Sequence, residues 1–365
     1  MSSRISSKFP VPGSKLRILV TGGAGFIGSN FIRYMGEHHP SDPITNLDAL
    51  TYAGNLENLA GLSSAAQYQF VKGDVCDAAL VKKLLGEHDA VVHFAAESHV
   101  DRSIVDASDC FETNIRGTHT LLDAARQVRL RRFVHVSTDE VYGSMGEDET
   151  AREDSPLRPS SPYAASKAAA EMLVMAYART YDIPAVITRG SNNYGAYQFP
   201  EKFIPLMITN AAESKPLPVY GDGLQVRDWL YVNDHCRALD LLLHRGKPGE
   251  IYNIGAGNLR TNLEVIRKLL KLMLRPESLI QHVTDRPGHD RRYALDCGKI
   301  RKEFGWKPKE KFEQGIRKTV GWYLANPEWV ARVKDGAYRD YYELHYQRRD
   351  QTLAGIKGSS RPARS

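Results

Sequence analysis

A glycine-rich turn between an apolar run and a helical pattern constrains this chain more than any other feature. Lys15 to Val20, with the apolar core Leu-Arg-Ile-Leu-Val, reads as a buried strand too short for a helix. It runs directly into Thr21-Gly22-Gly23-Ala24-Gly25-Phe26-Ile27-Gly28, in which Gly23, Gly25 and Gly28 satisfy GxGxxG and Gly22, Gly25 and Gly28 satisfy GxxGxxG. Helical periodicity follows over Phe31-Ile32-Arg33-Tyr34-Met35, and a second apolar segment ends at Asp48, twenty residues after Gly28. Strand, glycine turn, helix, strand and acid in this order form a dinucleotide-binding pattern. Glycine permits the tight turn and the close approach of backbone to a pyrophosphate, while the helix N-terminus offers free N–H groups to the anion. Asp48 would accept hydrogen bonds from the adenosine ribose and repel a 2′-phosphate, so NAD is expected over NADP. The bland alternative is an ordinary glycine-rich turn.

More strand patterns alternate with helical ones. Gln69 to Lys72 precedes Gly73-Asp74, Ala90 to Phe94 precedes Ala95-Ala96-Glu97, and Arg132 to Val136 precedes Ser137-Thr138. Such alternation implies parallel βαβ units, hence an α/β fold of Rossmann type with a doubly wound parallel sheet whose ligands gather beyond the strand C-termini. After residue 190 the pattern loosens, with a short strand at Leu217 to Tyr220 and a helix at Leu263 to Leu272. No Pro/Gly/Ser linker separates the halves. The expected organisation is therefore a flexible extension over 1–15, an NAD-binding domain over 16–190 carrying the catalytic residues, a smaller substrate-binding lobe over 191–342 interleaved with it, and a basic tail over 343–365.

Composition narrows the function classes. A charged fraction of 25% and an apolar fraction of 42% suit a globular enzyme, and no apolar run is long enough to span a bilayer. No secretory signal is recognisable at the N-terminus, and Cys76, Cys110, Cys236 and Cys297 lie far apart, so reduced thiols, a cytoplasmic location and no metal site are expected. The net charge of +6 resides in the tails, since residues 1–17 hold four basic and no acidic residues and residues 345–365 hold five basic and one acidic. The body is slightly acidic, and no nucleic-acid partner is expected.

Tyr163 and Lys167 form YxxxK within a helical stretch, Ser161 to Tyr181, and a spacing of four places both on one face. A phenol with a pKa of about 10 is a poor base at neutral pH unless a cation stabilises its phenolate, and Lys167 is positioned to do so. Thr138, at a strand end, can donate a further hydrogen bond to a sugar hydroxyl or to the tyrosine oxygen. Asp139 and Glu140 follow it, and two adjacent carboxyls allow one to be neutral and the other ionised, because like charges and burial raise one pKa. The structural alternative for the pair is a solvated loop or a helix cap.

The glycine fingerprint, Thr138-Asp139-Glu140 and Tyr163-xxx-Lys167 together resemble the extended short-chain dehydrogenase/reductase superfamily, and within it most closely the dTDP-glucose 4,6-dehydratase family. The likeness runs from about Arg17 to about Tyr342 and includes LTYAGNLENL, AAESHVDRSI, STDEVYG, SSPYAASKA, SNNYG, FPEKFIP, VRDWLYV, YNIG and DRPGHDRRYALD. It implies that Tyr163 takes the C4 hydroxyl proton as hydride passes to NAD, that Glu140 removes the C5 proton, and that Asp139 protonates the departing C6 oxygen. Hydride then returns to C6, the carboxyls recover their protons from each other or from water, and no net redox remains. An epimerase would need only the tyrosine.

The resemblance also implies binding residues. Gly22, Gly25, Phe26, Ile27 and Gly28 would hold the pyrophosphate, Asp48, Ala49, Leu50 and Thr51 the ribose side, and Asp74 and Val75 the adenine. Phe94, Ala95, Ala96, Ser98, Thr113 and Asn193 would line the cofactor, as would Tyr163 and Lys167, while Ser98, Thr138 and Asn192 would reach the sugar. The nucleotide end is expected at Lys202 and Phe203, at Pro218, Val219 and Tyr220, at Arg227 and Asn262, and at Asp285, Arg286, Pro287, Gly288 and His289. Arg227 and Arg286 suit a diphosphate, since a guanidinium bridges two phosphate oxygens, whereas Arg291 and Arg292 could be structural. A homodimer is implied through the helix after Asp106 and the YxxxK helix. Gly190 stands where a cysteine is common, and the acidic loop Ser144 to Arg158 lies where a lid would act. His93, His99 and His289 show no partner acid and nucleophile, which argues against a triad. The rival readings are a UDP-glucose 4,6-dehydratase, a UDP-sugar 4-epimerase or decarboxylase on the same fold, and a non-catalytic NAD sensor.

Overall fold

The structure, a computed structural model, describes residues 15–62 and 67–334, so the expected tail over 343–365 and all but Lys15 of the N-terminal extension lie outside the described residues. Its strands in chain order are β1 (Ile18–Thr21), β2 (Ile44–Asp48), β3 (Tyr68–Lys72), β4 (Ala90–His93), β5 (Arg132–Thr138), β6 (Ala185–Gly190), β7 (Asn192–Tyr194), β8 (Leu217–Tyr220), β9 (Val226–Tyr231), β10 (Ile251–Ile254), β11 (Leu259–Thr261) and β12 (Ile280–Val283). The helices are α1 (Phe26–His38), α2 (Ala78–Glu87), α3 (Val100–Val105), α4 (Ser108–Cys110), α5 (Thr118–Ala125), α6 (Pro162–Tyr181), α7 (Phe203–Ala212), α8 (Val232–Arg245), α9 (Asn262–Met273), α10 (Gly298–Phe304), α11 (Phe312–Ala325) and α12 (Pro327–Val333).

Seven strands form one sheet in the order β10-β6-β5-β4-β1-β2-β3, and every pairing in it is parallel. Both faces are covered, which demands apolar residues on both. In β1, Ile18 and Val20 join a core with Phe31 and Met35 of α1 and Leu239 and Leu242 of α8, while Leu19 joins the opposite core with Leu84, Leu121, Phe133 and Val174. The strand order reverses between β1 and β4, and the crevice at such a reversal is where open α/β sheets take ligands. This is a Rossmann-type α/β fold.

The loosened pattern after residue 190 has a topological cause. The chain leaves the sheet after β6, builds a second core around Ile204, Met207, Val265, Leu269 and Ile316, and returns through β10 to the sheet edge. Two small sheets, β11-β9-β7 and β12-β8, belong to that part. The α1 helix starts at Phe26, a turn earlier than its apolar periodicity suggests. The loop over 144–158 is tied to a neighbouring segment. Met145 N–H donates to the Arg292 carbonyl (2.9 Å), Ala151 N–H to the Ala294 carbonyl (2.8 Å) and Asp296 N–H to the Ala151 carbonyl (2.9 Å), which straps the loop to 292–296. Arg292 donates to the Gly146 carbonyl at 2.7 Å and Arg291 pairs with Asp222 at 2.8 Å, so both are structural.

Candidate active site

The glycine turn resolves the two spacings left open by the sequence. Gly22 has φ +72°, and a Cβ on it would stand 2.6 Å from the Ala95 nitrogen; one on Gly28 would stand 2.4 Å from the Gly22 carbonyl oxygen. Gly23 instead packs against Asn46, whose Oδ1 accepts its N–H at 2.9 Å, so Gly22, Gly25 and Gly28 face the cleft. The Asp48 carboxylate, at the end of β2, accepts the N–H groups of Ala24 and Leu50, each at 2.8 Å, which anchors it beside the turn. Burial pushes its pKa up against these two bonds.

A cleft of about 320 Å³ runs from this turn across the strand ends. It brings together Gly22, Gly25, Phe26, Ile27, Gly28, Asp48, Ala49 and Thr51 with Asp74, Val75, Phe94, Ala95, Ala96, Ser98, Thr113 and Asn193, and all five of Thr138, Asp139, Glu140, Tyr163 and Lys167. Leu50 is not among its walls; its backbone takes φ +55° to donate to Asp48. A second cavity of about 180 Å³ is lined by Lys202, Phe203, Pro218, Tyr220, Arg227, Asn262, Arg286 and His289. Val219 is buried in the second core instead, and Asp285, Pro287 and Gly288 do not line the cavity. Asp285 acts behind it, accepting from His289 Nδ1 at 2.6 Å and from Gln225 at 3.1 Å. His289 therefore has a partner acid, and so does His99, 3.8 Å from Glu201. His93 is structural, held between Thr21 (2.7 Å) and Thr118 (2.9 Å), and burial lowers its pKa to about 3.

The catalytic group is built by two elements. β5 ends at Thr138, whose hydroxyl accepts the Glu140 N–H at 3.2 Å, starting a single helical turn over Asp139–Tyr142 that sets both carboxyls beneath the crevice. On α6, Ser161 caps the Ala164 N–H at 3.1 Å and Pro162 opens the helix, so Tyr163 sits in its first turn and Lys167 one turn on. The pair is not a solvated loop: Asp139 is 3% exposed and its Oδ2 has no hydrogen-bond partner. Burial, then Glu140, raises the Asp139 pKa well above the usual carboxylate range. Glu140 is also raised by burial, but Arg286, Arg227 and Lys202 draw it back toward the charged form. The two acids are thus separated in the sense that general acid and base work requires.

Lys167 is tied to β5. Its ammonium donates to the Val136 carbonyl at 2.8 Å, and burial lowers its pKa to about 8. The Tyr163 phenol is pushed up, first by burial and then by Glu140 and Asp139, with only a hydrogen bond to Thr138 among the leading influences acting the other way.

Several residues were missed. Asp101 is buried, accepts Arg286 Nη1 at 3.0 Å and the Tyr220 hydroxyl at 2.8 Å, and so holds two cavity residues in place. Tyr220 is committed to that bond, with its ring edge-on to His289. His235 lies behind Gly190, where a Cβ would stand 2.8 Å from its ring; its Nδ1 meets Asn193 Oδ1 at 3.1 Å and its Nε2 is unpartnered. Trp229, stacked on Phe203 at 5.7 Å, completes the cavity wall with Tyr293. Asp101 stood inside the AAESHVDRSI stretch, but an acid on a helical segment carries no signal until its partners, 119 and 185 residues away, are known.

Comparison with known proteins agrees with this geometry. Residues 19–319 match the family model described as GDP-mannose 4,6 dehydratase. The dTDP-glucose 4,6-dehydratase of Salmonella typhimurium is 49% identical over 361 residues, covering 92% of this chain and 100% of the relative. That of Xanthomonas campestris (strain B100) is 53% identical over 341 residues, covering 88% and 97%. The crystal structure of the Streptomyces venezuelae dTDP-glucose 4,6-dehydratase with NAD bound superposes with a TM-score of 0.85 at 50% identity, covering 87% of this chain and 100% of that one. A UDP-glucose 4-epimerase from Thermus thermophilus, complexed with NAD, shares the fold at a TM-score of 0.79 but only 34% identity, over 85% and 100%. Half-identity across nearly the full length of the dehydratases, against a third for the epimerase, fits a site that keeps both carboxyls beside the tyrosine, and the chain belongs to the dTDP-glucose 4,6-dehydratase family.

Proposed function

We propose that the chain is a dTDP-glucose 4,6-dehydratase, a carbon–oxygen lyase that forms dTDP-4-keto-6-deoxyglucose and water. One observation carries the reading: the large cleft and the second cavity share Ser98, Glu140, Asn192 and Lys202, so Glu140 stands where they meet, with Asp139 next to it on the cleft wall. NAD fits the large cleft, since Gly22 and Gly28 leave no room for a side chain, the first N–H groups of α1 have no intrahelical acceptor, and Ser137 Oγ, Asn192 Oδ1 and His235 Nε2 are buried polar atoms without a partner along its wall. When bound, NAD supplies the acceptor for the C4 hydride and the hydride returned to C6.

The chain's own residues move the protons. Tyr163 takes the C4 hydroxyl proton, Glu140 takes the C5 proton that the new ketone has made acidic, and neutral Asp139 protonates the departing C6 oxygen. Glu140 then gives its proton back to C5. The cycle ends with Tyr163 protonated and Asp139 ionised, so one proton must pass between them. The Thr138 hydroxyl donates to Asp139 Oδ1 at 3.3 Å and is near enough to the phenol to draw its pKa down, and it supplies that path. Arg286, whose Nε is buried without a partner, and Arg227 serve the diphosphate, with Phe203 and Trp229 beneath the base.

The same reading makes the protein a cytoplasmic homodimer, in keeping with four free cysteines and with the exposed Phe111, Met172, Met175 and Tyr181 on the π-helical turn Phe111–Gly117 and α6. Among the described residues no helix is long and apolar enough to cross a membrane. The test is to incubate the purified protein with dTDP-glucose and with UDP-glucose, without reductant, and weigh the sugar nucleotides. Loss of one water from dTDP-glucose alone is expected. Loss from UDP-glucose alone would change the donor, and an unchanged mass with a new C4 epimer would move the chain to epimerase chemistry.

A further inference from the structure

A second group of ligand-type side chains lies at the far end of α1, away from the cleft. His39 follows the last residue of α1, and Asp240 and His244 stand one turn apart on α8, so two helices that pack on the same face of the sheet bring three donors together. His39 Nε2 lies 3.0 Å and His244 Nδ1 2.9 Å from the same oxygen, Asp240 Oδ1, and one donor atom from each of the three residues falls within 4.8 Å of the others. The two imidazoles stack at 4.8 Å with 22° between their planes.

The arrangement is more crowded than a simple ion pair, since two imidazoles share one oxygen. Both nitrogens are close to Asp240 Oδ1, yet neither has the angle of a hydrogen bond, and that oxygen is buried without one. His244 Nδ1 directs its bond to the Asp240 backbone carbonyl at 2.9 Å instead. Two rings converging on one oxygen also bring two positive charges together if both are protonated. A single cation in their midst satisfies all three at once.

We propose that His39, Asp240 and His244 bind a divalent transition-metal ion of the zinc class, which staples the end of α1 to α8. Two imidazole nitrogens and a carboxylate oxygen are the ligands of a three-residue zinc site, with bonds of about 2.0–2.2 Å that set tetrahedral donors about 3.4 Å apart. The present spacings of 2.9 and 3.0 Å fall short of this by about half an ångström. Side-chain exposures of 32% for His39 and 26% for His244 leave an entry path and room for water as fourth ligand. Binding releases the proton that His244 Nδ1 shares with the Asp240 carbonyl. The 13 residues of α1 separate this site from the glycine turn by about 20 Å, so the ion acts on stability and not on the reaction.

The experiment titrates metal-free full-length protein with Co²⁺ and Zn²⁺, reading visible Co²⁺ absorption, Zn²⁺ calorimetry and the thermal midpoint. Wild type is expected to show the intense visible bands of a tetrahedral Co²⁺ site and a rise in Tm with Zn²⁺. Asp240→Asn and the pair His39→Ala with His244→Ala should weaken binding at least tenfold and abolish the Tm rise, with turnover unchanged. His282→Ala, at a separate exposed histidine, should behave as wild type. Binding that is equal in wild type and the Asp240 variant, or the absence of any Zn²⁺-dependent rise in wild type, would overturn the proposal.

Discussion

At the residue scale, the site divides two kinds of proton transfer among side chains whose environments push them apart. Tyr163→Phe removes the group that takes the C4 proton, so a single turnover should produce no reduced-nicotinamide absorbance. Asp139→Asn keeps that first oxidation but loses the proton for the C6 oxygen, and water loss should slow by about 10²–10⁴-fold. Equal loss of both steps in Asp139→Asn would contradict the division. Thr138→Val cuts the path between Tyr163 and Asp139, so the first turnover should outpace later ones in a burst experiment. Lys167 tests the electrostatics from the side of stability. Burial lowers its pKa from 10.5 to about 8, a cost of roughly 3 kcal/mol while it is charged. The unfolded chain therefore holds more protons between these values, and stability rises with pH across that window. Lys167→Met should abolish activity yet raise the thermal midpoint at pH 7, with the gain shrinking toward pH 10. A lower midpoint at pH 7 would show that its bond to Val136 outweighs the buried charge.

At the element scale, function depends on how α6 begins. Ser161 caps the helix, Pro162 opens it, and the catalytic tyrosine follows at once, with its N–H donating to Ser103 Oγ at 3.2 Å. Ser161→Ala should cost about 1 kcal/mol of stability, seen in urea unfolding. Because the first turn would fray at Tyr163, kcat should fall more than binding of NAD weakens; a pure stability loss would separate the cap from catalysis. The helical stretch and YxxxK were legible in the sequence because each is a local signal. The turn after β5 was not. An acidic pair after a strand reads equally well as a solvated loop, and only the packing of α6 and the second core around it shows that the carboxyls are buried.

At the scale of the whole molecule, two cores share one crevice. Arg227 and Arg286 come from the second part of the chain, yet both draw Glu140 of the first toward its charged form. The apolar residues left exposed on the π-helical turn and α6, Phe111 at 48% and Met175 at 41%, mark the face expected to meet a second copy. Phe111→Glu with Met175→Glu should shift the protein from dimer to monomer in light scattering, and an unchanged dimer would place the interface elsewhere.

The sequence by itself determined the fold class, and it pointed to the glycine turn, Asp48 and the five candidate catalytic residues, because those signals are spacings within a few residues of one another or on one element. Tertiary structure alone decided what lies between distant segments: that Asp101 holds Arg286 and Tyr220, that Lys167 bonds a carbonyl, that the 144–158 loop is strapped down, and that His39 meets Asp240 and His244. The physical reason is range. Turn chemistry and helix periodicity act through neighbouring bonds, whereas burial, charge pairing and the choice of hydrogen-bond partner are set by residues a hundred or more positions away, which only the folded chain brings into contact.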